Sequence, residues 1–172
     1  MSAPPPRLEL IEQTESSVLA ACGNLVVRLH DQQVRASGME RIGQVLDDAA
    51  RAHPDGICVL WVSLTRQPNP DERALRERTE LIQRPGDALL RFAFVTERGG
   101  LPSTIKRGAA EGVRDRLGAL RERMGIFQDL REGIAFIEDA LRPAFEPSVL
   151  RTQVEGLWRI DRPGRPRLPV RP

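Results

Sequence analysis

The stretch "GICVLWVSLTRQPNPDERALRE", residues 56–77, decides the fold. Its first half is an unbroken apolar run with β-branched residues, the pattern of a strand buried on both faces. Its second half opens a helix: Asn69 is a good N-cap, Pro70 suits the first helical turn, and Glu72 completes a cap-like pattern. A doubly buried strand feeding directly into a helix is the repeating unit of a parallel, helix-covered sheet. The same junction fails as a phosphate loop. Residues 60–77 contain neither glycine nor lysine, and Asp71 and Glu72 would repel phosphate at the helix end that should attract it.

Working outward, the alternation continues. Upstream, "LELIEQ" (8–13) and "SSVLAACGNLVVRLHD" (16–31) read as extended segments, with Gly23-Asn24 marking a bulge or a hairpin turn. A helix begins near Ser37, where Ser37 and Glu40 fit a capping box. Met39, Ile42, Val45, Leu46 and Ala49 then form one apolar stripe. Downstream, the second helix runs to about Arg84 with Ala74, Leu75, Leu81 and Ile82 inward. "ALLRFAFVT" (88–96) is the next strand. A third helix spans about 102–123, with Ile105, Ala109, Val113, Leu117 and Leu120 on one side. "MGIFQ" (124–128) is a short strand, and "DLREGIAFIEDALRP" (129–143) is a helix with a capping box at Asp129 and Glu132. The order is β-β-α-β-α-β-α-β-α, a mostly parallel sheet covered by helices.

The chain has 172 residues, 40% of them hydrophobic and 29% charged, which suits one domain with a real core. Net charge is +2, so overall charge makes no case for nucleic acid. Lys106 is the sole lysine, an arginine bias that a GC-rich genome explains. Cys22 and Cys58 both fall in apolar strands and are expected as buried thiols, with a cross-strand disulfide as the other option. "MSAPPPRLEL" is not a signal peptide and no apolar run reaches membrane-spanning length, so a cytoplasmic setting without membrane insertion is expected.

Residues 1–7 read as a flexible start, 8–142 as the domain, and 143–172 as a Pro/Arg-rich tail. Within the tail, "EPSVLRTQVEGLW" suggests a short helix over 149–159, and "RIDRPGRPRLPVRP" is expected to be disordered alone. Leu150, Val154, Leu157 and Trp158 share one helical face. With Arg159 and Arg162 beside them they form a candidate partner-binding segment; docking on the chain's own domain is the alternative.

The element order, closing on "GIFQDLREGIAFIEDAL" (125–141), resembles the STAS domain of anti-sigma factor antagonists, and overlaps with SEC14-type α/β modules. The likeness covers about residues 8–142. It implies a bacterial, non-enzymatic regulatory or scaffold protein that binds another protein and uses no cofactor. Self-association is compatible with it. Regulatory members carry a phosphorylatable serine at the helix start after the third strand. Here Asn69, Pro70 and Asp71 occupy that position, leaving Ser63 or Thr65 as the nearest hydroxyls and a phosphoswitch unexpected.

One segment has the chemistry of an anion site. In "ERGGLPSTIKRG" (97–108), Gly99 and Gly100 permit close approach, Ser103 and Thr104 bring hydroxyls, and Lys106 and Arg107 add charge near a helix N-terminus. A nucleotide, lipid or other anion is the ligand class, and a plain glycine turn with a solvated basic face is the alternative. His30 and His53 lack partners at metal-ligand spacing, so no metal site is expected. The cysteines lie in apolar strands away from any base, so no catalytic residue is assigned.

Overall fold

The computed structural model describes residues 6–31, 36–64, 72–96 and 100–159, with 36–37, 100–103 and 159 described by backbone alone. A six-stranded sheet runs in sequence order: β1 (Glu9–Gln13), β2 (Ser17–Cys22), β3 (Leu25–His30), β4 (Ile57–Ser63), β5 (Leu89–Thr96) and β6 (Met124–Phe127). The first three strands form an antiparallel meander, and β3 through β6 are parallel. The helices are α1 (Ala36–Ala52), α2 (Glu72–Gln83), α3 (Gly100–Arg116), α4 (Leu130–Ile137) and α5 (Pro147–Arg159). The mostly parallel α/β architecture expected from the alternation is present.

Two elements exceed the expected order. The segment 16–31 is two strands, because Gly23-Asn24 is a hairpin turn between Cys22 and Leu25. Gly23 takes φ 53°, and a Cβ there would overlap the Arg142 carbonyl oxygen and the Pro143 ring, so glycine is required on two counts. The second is α5, the short helix expected in the tail at 149–159: it runs Pro147–Arg159, and its core residues lie beyond Pro143, where the domain was expected to end. Helix boundaries also shift. The first helix starts at Ala36, so Ser37 lies inside its first turn, and α3 stops at Arg116, followed by 3-10 turns over Gly118–Arg123. The Asn69-Pro70 cap lies outside the described residues.

Alternation along β3, β4 and β5 divides the core in two. On one face Leu25, Val27, Leu60, Val62 and Val95 pack against Leu130, Ile134 and Ile137 of α4 and Leu150, Val154 and Trp158 of α5. Gly133 of α4 sits directly on Val95, close enough that a Cβ would clash. On the other face Val26, Val59, Trp61 and Phe92 meet Ile42 and Leu46 of α1, Leu81 and Ile82 of α2, and Val113 of α3. Asp129 caps α4 by accepting from Arg131 N at 2.8 Å.

Both cysteines are free thiols. Cys58 is fully buried, and burial pushes its pKa up to about 11. Cys22, the last residue of β2 before the Gly23-Asn24 turn, is only half-buried; this corrects the expectation that both are buried.

Candidate anion-binding cavity

The face of the sheet under α1, α2 and α3 is not uniformly apolar. The register sets Arg28 beside Trp61 and Trp61 beside Phe94; one step nearer the carboxyl ends, His30 lies beside Ser63 and Ser63 beside Thr96. Arg28, His30, Ser63 and Thr96 are all buried. A polar row therefore closes the carboxyl ends of three parallel strands, which is where open α/β sheets hold their ligands.

Beneath α2 and α3 this row borders a cavity of about 30 Å³, room for a couple of waters or a small ligand group. His30, Trp61, Ser63 and Arg78 supply its polar wall; Ile82, Phe92, Phe94, Val113 and Met124 supply much of the rest. Arg78 reaches it because it shares the inward stripe of α2 with Leu75 and Ile82, at helical spacing. Polar ties to both neighbouring helices hold α2 in place. Arg84 bonds Asp47 of α1 at 2.9 and 2.6 Å, and Arg116 of α3 donates to both carboxylate oxygens of Glu72 at 3.0 and 3.1 Å.

The electrostatics of this wall are one-sided. Arg28 is 5% exposed, and its pKa is lowered to about 10, first by burial and further by the charge of Arg78; Glu12 acts in the opposite sense. Burial likewise lowers the pKa of Arg78. Among the described residues neither guanidinium forms a hydrogen bond or a salt bridge, and Glu12 bonds Arg41 instead, at 3.3 Å. Arg28 lies over the Trp61 ring at 5.1 Å, a cation–π contact that serves part of its charge. His30 meets the same ring edge-on at 5.8 Å. Trp61 Nε1, a donor only, is buried and meets no acceptor among the described residues. Uncompensated buried charge is costly. Cations and donors around a cavity form a receptor for a negatively charged acceptor.

The residues expected to bind an anion do not converge. Gly99 lies outside the described residues, and the Gly100 and Ser103 side chains are not described. Thr104 is exposed, Lys106 is buried and Arg107 is exposed. With the Gln128 amide turned so that its oxygen faces Arg107, the guanidinium donates to it. The segment thus distributes its two cations between interior and surface. Ser63 is a buried wall residue of the cavity, and Thr65 lies outside the described residues.

The candidate partner-binding face is also internal. Leu150 and Val154 are 0% exposed, and Leu157 and Trp158 are buried against the α4 side of the sheet. Arg159 has no described side chain and Arg162 lies outside the described residues.

Arg28 and Arg78 were not singled out from the sequence. A signal for each exists. Arg28 interrupts the apolar run "LVVRLH", and Arg78 falls between Leu75 and Ile82 on an inward helical stripe. Among the described residues no group of three His, Cys, Asp or Glu side chains could hold a metal ion, and no helix is long and apolar enough to cross a membrane. Comparison with protein-family models, with curated proteins and with solved structures found no match.

Proposed function

We propose that the chain is a non-enzymatic, STAS-like regulatory module whose working event is the binding of a small anion in the cavity beneath α2 and α3. The observation that carries this reading is Arg78, a half-buried guanidinium on the cavity wall, with Arg28 buried over the Trp61 ring that lines the same cavity; among the described residues neither is bonded to a carboxylate. An anion there would offset a desolvation cost that the folded chain otherwise bears alone. The STAS-like assignment is supported by the closing strand and capped helix, β6 and α4, with Asp129 as the cap. The added hairpin strand and α5 are departures from the resemblance. A thermal-shift panel of small anions at fixed ionic strength tests the binding. Saturable stabilisation of the wild type that is lost in Arg78→Gln supports it, and no saturable response to any anion refutes it.

A protein contact is the second reading, and a different surface favours it. Leu10 and Ile11 are 48% and 39% exposed, and both lie on β1, the strand at the edge of the sheet. An edge strand offers unpaired backbone groups for strand addition. Light scattering on the wild type and on Leu10→Arg distinguishes self-pairing at this edge from a monomer.

A further inference from the structure

The anion-binding reading above leaves the kind of anion open, and the size of the cavity restricts it. A volume of about 30 Å³ holds a couple of waters, so its occupant has about two or three non-hydrogen atoms. Phosphate and sulfate, with a full tetrahedron of oxygens, exceed that space, and so does any acid with an alkyl chain or a ring. The wall does not yield cheaply to a larger guest. Phe92, Val113 and Met124 belong to the packed core on this face, where added volume forces side chains out of their preferred rotamers.

Charge and hydrogen bonding narrow it further. Among the described residues the wall carries no carboxylate and one guanidinium, that of Arg78; Arg28 stacks on Trp61 without lining the cavity. A single negative charge matches this wall, and a second would be buried against carbon without compensation. The wall also favours an acceptor over a water. Arg78 donates only, Trp61 Nε1 donates only and meets no acceptor among the described residues, and the Ser63 hydroxyl can turn to donate. A water would accept from these groups but bring two protons of its own, and the side-chain oxygen and nitrogen acceptors described on the wall are those of Ser63 and His30. An anion only accepts. The guanidinium fork suits two oxygens on one atom better than a single halide. The geometry points to a formate-sized monoanion, one small atom bearing two terminal oxygens, seated on the fork of Arg78 with Trp61 and Ser63 as further donors. Formate and nitrite represent the class. This inference rests on the anion site of the preceding section and adds a limit on size and charge.

The test is isothermal titration calorimetry on the full chain, with ionic strength held by sodium gluconate, whose anion is far too large for the cavity. The probes are formate, nitrite, acetate, propionate, chloride, sulfate and inorganic phosphate. Formate and nitrite are expected to bind saturably. Acetate is expected to bind at least about fivefold more weakly, because its methyl group overpacks the space. Propionate, sulfate and phosphate are expected to give no saturable heat. Arg78→Gln is expected to lose formate binding, and Ala110→Val, which narrows the cavity and keeps Arg78, to weaken it about fivefold or more. Propionate, sulfate or phosphate binding as tightly as formate would overturn the size limit while leaving an anion site in place. Chloride binding more tightly than formate would overturn the pair of oxygens. Unchanged formate affinity in either variant would put the binding elsewhere and overturn the inference. If none of the anions binds, the anion site itself is refuted, and the inference goes with it.

Discussion

Asn24 and Arg142, 118 positions apart, exchange two hydrogen bonds: Arg142 N donates to Asn24 Oδ1 at 2.7 Å, and Asn24 N donates to the Arg142 carbonyl at 2.9 Å. The Asn24 amide nitrogen also donates to the carbonyls of Gly56 at 3.1 Å and Ala140 at 2.9 Å. Its own carbonyl accepts from Cys58 N at 2.8 Å. One side chain thereby fastens the β2–β3 turn to the start of β4 and to the chain leaving α4. The neighbouring Gly23 allows the close approach that this requires.

Removing that side chain leaves buried backbone groups without partners. Asn24→Ala is expected to lower stability by about 2–4 kcal/mol, from three lost side-chain bonds and the groups they satisfied. Asn24→Asp is expected to be as damaging, because a carboxylate would face two carbonyl oxygens. Urea unfolding followed by circular dichroism measures both. A midpoint within error of the wild type would contradict the role.

The α5 helix is a stability element, since Trp158 is 2% exposed in the same cluster as Leu150 and Val154. Gln153 also holds the chain's start, accepting from Leu8 N at 2.7 Å and donating to the Pro6 carbonyl at 2.8 Å. Trp158→Ala is expected to cost about 3–5 kcal/mol, a large share of a typical domain's stability. Truncation after Pro143 is expected to give a protein without a cooperative thermal transition. A truncated chain melting like the full one would show that the helix adds nothing to the core.

Arg78 carries a prediction of the opposite sign. Its half-buried charge has no bonded partner among the described residues, so Arg78→Leu is expected to stabilise the ligand-free protein slightly. The same substitution is expected to abolish the anion response. A stability gained where binding is lost is the usual mark of a site that works under strain. Loss of stability in Arg78→Leu would mean that the guanidinium is satisfied in the free protein.

Where sequence and structure agree, local chemistry was enough. The runs 57–63 and 89–96 are apolar because both faces of β4 and β5 are covered, and the Asp129 cap is a local contact. What was not legible depends on distant partners. The Gly23-Asn24 pair is compatible with a bulge or a turn until Arg142 approaches it. An apolar stripe on α5 says that a face is buried and not against what; the sheet's second face answers that. The cavity arginines were hidden by composition. Nearly all of the 26 basic residues are arginine, and only packing distinguishes Arg28 and Arg78 from those facing water. The Lys106–Arg107 pair looked like one cluster because adjacent residues were read together, whereas a helix sends them in different directions.

Cys58 supplies the last prediction, a pH dependence of stability. Its thiol has an ordinary value of 9.0 and is pushed to about 11 in the folded chain, by burial above all. Well below pH 9.0 both states keep the proton and Cys58 contributes no slope. As pH rises from there the unfolded chain loses its proton first, so it binds fewer protons than the native state, and stability falls until the folded pKa is passed. The half-buried Cys22 is shifted in the same direction and adds to the trend. Arg28 acts the other way, but only above its lowered value of about 10, where the unfolded chain holds the proton longer and stability rises with pH. The interval between 9.0 and about 10 therefore lies above the ordinary thiol value and below the lowered value of Arg28. Urea midpoints measured across that interval in reducing buffer are expected to fall more steeply for the wild type than for Cys58→Ala. Parallel slopes for the two proteins would show that the Cys58 thiol ionises in the folded chain as readily as in the unfolded one.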